Sequence, residues 1–150
     1  MSADPVGADS MNAGLREAIV VDSSVIVDLL IDRGPQGEAV AARLTGCSLV
    51  APELLHYDVA NVLRRMRLSG LLSHAEASLA FAGLQSLPLD SWPFEIVAGR
   101  VWELGDTVSS YDASFVALAE ALHIPLVTVD SRLARVPGLT AMVEVIAVGE

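Results

Sequence analysis

The chain contains no lysine, and all nine of its basic residues are arginine. The absence of lysine excludes a P-loop lysine, a Schiff-base nucleophile and a serine–lysine dyad, and with them several classes of enzyme. The 19 acidic residues outnumber the arginines and give a formal net charge of −10. Sequence-independent binding of nucleic acid depends on cations that neutralise phosphates, so any contact with a nucleic acid must be local.

Cysteine and long apolar runs are also scarce. Cys47 is the only cysteine, so no intramolecular disulfide can form, and no Cys or His spacing suits structural zinc. Charged residues, glycine or proline interrupt every apolar run before the ~18 residues that a membrane-spanning helix needs. The first residues lack the basic and apolar regions of a secretory signal. We therefore expect a soluble, cytoplasmic protein that makes no membrane contact.

Hydrophobic residues are abundant: they make up 53% of the 150 residues, and the mean hydropathy is +0.52. Such a chain is too apolar to be disordered, and its length suffices for one domain with a buried core. Residues 1–17 are mostly small and polar, and the first 14 show no apolar period. We expect them to form a flexible tail ahead of a single domain over residues 18–150.

Short β-branched runs alternate with helical patterns along this domain. The pattern predicts strands at 19–22, 48–51, 87–90, 124–129 and 143–148. It predicts helices at 23–31, 36–45, 52–68, 73–85, 93–105, 109–123 and 130–136. The alternation indicates an α/β fold with a mostly parallel central sheet flanked by helices, and the apolar run at 124–129 indicates a strand buried on both faces.

Acidic residues stand where the predicted strands end. Ligands bind such a sheet outside the carboxyl ends of its strands, so these residues are candidates for a functional site. Asp22 ends the first strand, Asp130 follows the fourth, and Asp112 lies in the first turn of a helix. Each also has a structural interpretation, since Asp22 and Asp130 precede helices that they could cap, and Asp112 could close a capping box with Ser109.

Asp58 interrupts the apolar stripe of the helix predicted at 52–68. It stands at helical spacing from Leu54 and Val62, so it is expected on the buried face. An unpaired buried carboxylate costs several kcal/mol, so Asp58 must be protonated, paired with an arginine or bound to a cation. Arg65, seven residues further on, is the candidate ion-pair partner. A metal ion shared with the other carboxylates is the alternative, and oxygen ligands favour Mg²⁺ or Mn²⁺.

Four segments together resemble the PIN domain, and specifically the VapC-type ribonuclease toxins of bacterial toxin–antitoxin pairs. They read VDSSVIVDLL, APELLHYDVANVLRR, SSYDASFVALAEAL and IPLVTVDSRL, and the resemblance extends over residues 19–145. It implies that Asp22, Asp58, Asp112 and Asp130 bind the metal ion. The second of these positions is usually glutamate, so the shorter Asp58 would reach the metal through water. Glu53 is the nearby substitute.

The resemblance also implies a function for the whole chain. It implies a Mg²⁺-dependent endoribonuclease, with Mn²⁺ as an alternative ion, that hydrolyses RNA phosphodiester bonds as the toxin of a VapBC-type pair. Ser24 and Thr128 match small polar positions that support the carboxylates. Arg132, beside Asp130, and Arg65, near the end of the long helix, are candidate RNA contacts. The implied assembly is a homodimer held by a cognate VapB-like antitoxin, which would insert an arginine into the acidic pocket.

Two other functions fit parts of the pattern. A response-regulator receiver also places carboxylates and Mg²⁺ at strand ends, but it requires a lysine and an acidic pair after the first strand. This chain has no lysine and continues from Asp22 with two serines. In a non-catalytic binding domain, the aspartates would serve only as caps and ion-pair partners, and metal titration would distinguish such a domain from a nuclease.

Overall fold

The computed structural model describes residues 16–147. The tail expected over residues 1–17 therefore lies, apart from its last two residues, outside the described part of the chain. The end of the last predicted strand, Val148, also lies outside it. Within residues 16–147, no helix combines the length and the apolar character needed to cross a membrane.

The described residues form one sheet of five parallel strands in the order β3-β2-β1-β4-β5, which confirms the predicted α/β fold. The strands are β1 (Ala18–Val21), β2 (Ser48–Pro52), β3 (Leu89–Trp92), β4 (Leu126–Thr128) and β5 (Val143–Val145). The central strand β1 pairs with β2 on one side and with β4 on the other. Because the chain order reverses there, a crevice is expected at the carboxyl ends of β1 and β4.

Six α-helices flank this sheet in the described residues. They are α1 (Ser23–Ile31), α2 (Pro35–Leu44), α3 (Leu54–Leu68), α4 (His74–Ser86), α5 (Ala98–Glu103) and α6 (Ser110–Leu122). Helix α6 packs on β1, β2 and β4, whereas α1 packs against α2, α3 and α4. Three 3₁₀ turns complete the secondary structure of residues 16–147: Phe94–Ile96, Leu104–Asp106 and Leu133–Arg135.

The core is centred on the middle strands. Ile19, Val20 and Val21 of β1 are fully buried. All three residues of β4 are fully buried as well, which confirms the prediction that this strand is covered on both faces. Strands without a solvent-exposed face hold the ends of β1 and β4 rigidly, and these ends carry Asp22 and Asp130.

Proline changes two predicted boundaries. Pro52 is the last residue of β2, so α3 begins at Leu54 and not at the proline. The next residue, Glu53, donates its amide to the carbonyl of Trp92 and continues the link to β3. The third strand begins at Leu89 and not at residue 87, because Pro88 has no N–H to donate to a strand ladder.

Two predicted helices are shorter than the sequence pattern indicated. The segment 93–105 is not one helix: a 3₁₀ turn, the six-residue α5 and a second 3₁₀ turn follow one another. Gly99 and Gly105 lower its helix propensity. The helix predicted at 130–136 is only a 3₁₀ turn at Leu133–Arg135, because the Asp130 side chain accepts the Arg132 amide and Pro137 stops further helix.

Candidate active site: four carboxylates at the carboxyl edge of the sheet

Asp22 lies at the centre of the candidate site, directly after β1, with 6% of its surface exposed. It caps α1, since its Oδ1 accepts the Val25 amide at 3.2 Å and the Ser24 hydroxyl at 2.6 Å. The Thr128 hydroxyl donates to the other oxygen, Oδ2. Burial raises the pKa of Asp22, although these hydrogen bonds favour the carboxylate. The side chain is thus firmly oriented, and a nearby cation would stabilise its negative charge.

Thr128 joins the ends of β1 and β4. Its side chain is fully buried, and its Oγ1 both donates to Asp22 and accepts the Asp130 amide at 3.0 Å. One hydroxyl therefore contacts two of the predicted site residues.

Asp130 forms a two-pronged ion pair with Arg132. The guanidinium Nη2 lies 2.6 Å from Oδ2, and Nε lies 3.0 Å from Oδ1. These bonds lower the pKa of Asp130. Asp130 caps no regular helix, so the capping interpretation is wrong for this residue. Arg132, the predicted RNA contact, is 79% exposed on its side chain and is held against Asp130.

Asp58 meets α1 rather than an arginine. Its Oδ2 accepts the Ser23 hydroxyl at 3.1 Å, and its side chain is half-buried, less than its place in the apolar stripe suggested. Arg65 is exposed, and no ion pair joins it to Asp58 within residues 16–147. The ion pair considered as the structural explanation of Asp58 is therefore not formed. Glu53 is exposed at the start of α3 and makes no capping hydrogen bond with its side chain.

Asp112 stands in the first turn of α6, where its amide donates to the Ser109 hydroxyl at 3.2 Å. Burial raises the pKa of Asp112. The positive charge of Arg132 opposes this shift, and the negative charges of Asp130 and Asp58 add to it. Asp130 raises the pKa of Asp22 as well. The four carboxylates therefore belong to one electrostatic environment at this edge of the sheet.

These side chains offer the donor set of a hard divalent cation, since they supply only oxygen ligands and an excess of negative charge. A cleft of about 430 Å³ opens beside Asp112 and Arg132. In the described residues, no three acidic, histidine or cysteine side chains already stand together as a metal-binding group. A cation at this site would compete with Arg132 for Asp130.

Sequence reasoning did not single out Ser23 as part of the site. Its hydroxyl is the hydrogen-bond donor to Asp58, and it brings α1 and α3 together beside Asp22. Its position in the sequence was the available signal. Ser23 directly follows Asp22, which ends a strand, and it is the first residue of the next helix, so it lies at the same edge of the sheet.

Residues 19–139 match the family model described as PIN domain. The chain belongs to the PIN-domain family. Ribonuclease VapC12 of Mycobacterium tuberculosis is 36% identical over 129 residues, which cover 86% of this chain and 99% of the relative. Ribonuclease VapC1 of the same organism is 37% identical over 128 residues, which cover 85% of this chain and 96% of the relative.

The chain is also similar in fold to a solved structure. VapBC2 from Rickettsia felis, bound to a DNA fragment from its promoter, matches with a TM-score of 0.62 and covers 87% of this chain and 99% of the matched chain. Because the two sequences are only 12% identical, this structural match supports the fold and nothing further. Together these matches confirm the resemblance drawn from the four sequence segments and argue against the receiver-like alternative.

Proposed function

We propose that this PIN-domain protein is a metal-dependent endoribonuclease and the toxin of a VapBC-type toxin–antitoxin pair. The observation that supports the proposal is that Asp22 and Asp130, at the carboxyl ends of β1 and β4, share the Thr128 hydroxyl, while the charges of Asp58 and Asp130 both act on Asp112. The relatives named ribonucleases match this chain over most of its length, which supports the same reaction. The nuclease domain would comprise residues 18–150.

The four aspartates would hold a divalent cation, Mg²⁺ or Mn²⁺. When bound, such an ion lowers the pKa of a water molecule and neutralises charge on the phosphate during hydrolysis. Ser24 and Thr128 fix the Asp22 carboxylate before any ligand arrives, so little reorganisation is needed during the reaction. Ser23 fixes Asp58 in the same way, and the short Asp58 side chain would act through water rather than by direct ligation.

The proposed partners are an RNA substrate, a second copy of the chain and a VapB-like antitoxin, and the proposed location is the cytoplasm. An acidic crevice suits inhibition by an arginine that the antitoxin inserts. The contact between Arg132 and Asp130 is an example of such a pairing within the chain itself. Purification of the chain without any associated partner from cells that express its neighbouring genes would count against the antitoxin.

The decisive experiment removes single carboxylate charges. We expect Asp22→Asn and Asp112→Asn each to reduce RNA cleavage in Mg²⁺ by at least about 100-fold, since loss of mere outer-shell support costs 10–100-fold. Cleavage of a synthetic RNA is measured on gels, and Mn²⁺ binding is measured by calorimetry. Asp106→Asn is the matched control, because Asp106 is an exposed residue at the end of a 3₁₀ turn.

Each outcome separates the alternatives. Undiminished cleavage by both site variants, with circular dichroism like that of the wild type, would reject this site. Wild-type protein that binds no Mn²⁺ and cleaves no RNA would instead fit the non-catalytic binding domain, in which the aspartates serve the fold.

A further inference from the structure

A second cavity, of about 310 Å³, lies at the same edge of the sheet. It is placed between the ends of β2 and β3 and the first turns of α3 and α6. Tyr57, Trp92, Phe94 and Tyr111 line it, and we call these four residues the aromatic groove. They include both tyrosines of the chain, one of its two tryptophans and one of its three phenylalanines. Aromatic residues form only 5% of the sequence, so the groove concentrates a scarce residue type.

The rings of the aromatic groove are accessible. Tyr57, Phe94 and Tyr111 are 78%, 63% and 62% exposed. Trp92 is half-buried, packs on the core and donates its Nε1 hydrogen to Asp90 at 3.2 Å, so that its ring is fixed. A cluster of solvent-exposed aromatic side chains indicates a binding surface rather than a part of the core.

The aromatic groove adjoins the carboxylate site through two helices. Tyr57 immediately precedes Asp58 on α3, and Tyr111 immediately precedes Asp112 on α6. Consecutive helical residues point about 100° apart, so each helix presents an aromatic face beside its acidic face. The aromatic groove and two of the four carboxylates are therefore carried by the same two helices.

The charge of the residues that line the aromatic groove favours a neutral ligand over an anionic one. Glu53 is the one charged residue among those that line this cavity in the described chain, and its carboxylate would repel a phosphate. A neutral base can stack on the rings, and such stacking contributes about 5- to 150-fold in affinity per base. A protein of net charge −10 gains little from general attraction to RNA, so its affinity must come from contacts of this uncharged kind.

We infer that the aromatic groove binds an unpaired nucleobase next to the phosphate at the carboxylate site. Bases within a duplex are already stacked and paired, so a base must be unpaired to enter the groove. This inference rests on the proposed ribonuclease function and adds to it the element that selects the form of the RNA.

The experiment replaces rings by an aliphatic side chain of similar character. Tyr57→Leu and Phe94→Leu keep apolar area but remove the stacking face, and Trp102→Leu is the control, since Trp102 is 87% exposed on α5 outside the groove. All are made in the full chain carrying Asp22→Asn, so that the RNA stays intact. The probe is a short single-stranded RNA containing 2-aminopurine, whose fluorescence is quenched when it stacks.

We expect quenching on binding to the control and a loss of about 5- to 150-fold in affinity, with loss of quenching, for the two groove variants. The same RNA in a duplex should bind weakly to every variant. Equal affinity of the groove variants and the control, or equal binding of duplex, would overturn the inference. So would a change from dimer to monomer in light scattering on Tyr57→Leu with RNA affinity unchanged, because the groove would then be a protein interface.

Cleavage by the wild-type chain is measured separately with the same RNA. Cleavage together with unchanged binding by the groove variants would reject the groove and leave the nuclease. Ring-dependent binding without any cleavage would reject the nuclease and leave the groove as an RNA-binding site.

Discussion

At the scale of single residues, the site depends on hydroxyl groups that hold carboxylates. Thr128 serves two partners from a fully buried position, the Asp22 carboxylate and the Asp130 amide. Ser24 and Ser23 each hold one carboxylate, those of Asp22 and Asp58. The carboxylates of Asp22 and Asp58 are therefore oriented by their neighbours, as a preorganised site requires.

Replacement of Thr128 by valine tests this arrangement. Thr128→Val keeps the shape but removes the hydroxyl partner of the Asp130 amide and of the buried Asp22 carboxylate. We expect the free energy of unfolding to fall by about 1–3 kcal/mol in urea denaturation. Thr128→Ser keeps the hydroxyl, so its free energy of unfolding should fall much less. If the valine variant unfolded at the same urea concentration as the wild type, the hydroxyl would have no such role.

The partners of the charged residues could not be read from their spacing. Arg132 stands two residues after Asp130, and the sequence suggested that it faces RNA. Its guanidinium lies on the Asp130 carboxylate, and its contact with RNA stays a prediction. Arg65 was the candidate partner of Asp58, but Ser23 from another helix takes that place.

At the scale of elements, an ion pair connects α5, α6 and the segment before β5. Arg100 on α5 donates through Nε to Glu120 on α6 at 2.7 Å and through Nη2 to the Gly138 carbonyl at 2.8 Å. Glu120 also accepts the Thr140 amide at 2.9 Å. Burial favours the protonated form of Glu120, but the hydrogen bonds from Arg100 and Thr140 outweigh it and lower the pKa.

The lowered pKa predicts how Glu120→Gln depends on pH. The carboxylate stabilises the fold above its ordinary pKa of 4.5, and this contribution is lost as the pH falls through the lower pKa of the folded state. We expect the variant to be less stable than the wild type by about 1–3 kcal/mol at neutral pH, with the difference shrinking in acid.

Urea denaturation at several pH values measures that difference. Glu103→Gln is the control, since Glu103 also contacts Arg100 but its side chain is 68% exposed. This substitution should lower the free energy of unfolding by less than about 1 kcal/mol. A difference between Glu120→Gln and the wild type that grew in acid would contradict the assignment.

At the scale of the whole molecule, the charge is strongly unbalanced. Three of the nine arginines, Arg43, Arg100 and Arg132, are engaged with carboxylates in the described residues. Arg43 pairs with Glu17 and Glu144 and so connects α2 to the start of the central strand β1 and to the edge strand β5. Fewer cations therefore remain to meet the phosphates of an RNA than the composition alone indicates.

The small number of arginines that remain to meet phosphates predicts a weak dependence of RNA affinity on salt concentration. For single strands, the slope of log affinity against log salt is about −0.7 for each neutralised phosphate. With two or three phosphates contacted, we expect a slope no steeper than about −2 between about 50 and 200 mM salt. Fluorescence anisotropy with a labelled single-stranded RNA measures it. A slope several times steeper would mean that phosphate contacts, and not stacking, provide the affinity.

The sequence by itself determined the alternation of strands and helices, the burial of β4 and the aspartates at the strand ends. These depend on local periodicity, which the order of residues carries directly. Tertiary structure alone decided which side chains meet, because Thr128 reaches Asp22 across 106 residues and Ser23 reaches Asp58 across 35. Those contacts exist because β4 pairs beside β1 and α3 packs on α1, and the aromatic groove likewise forms only where separate elements end at one edge of the sheet.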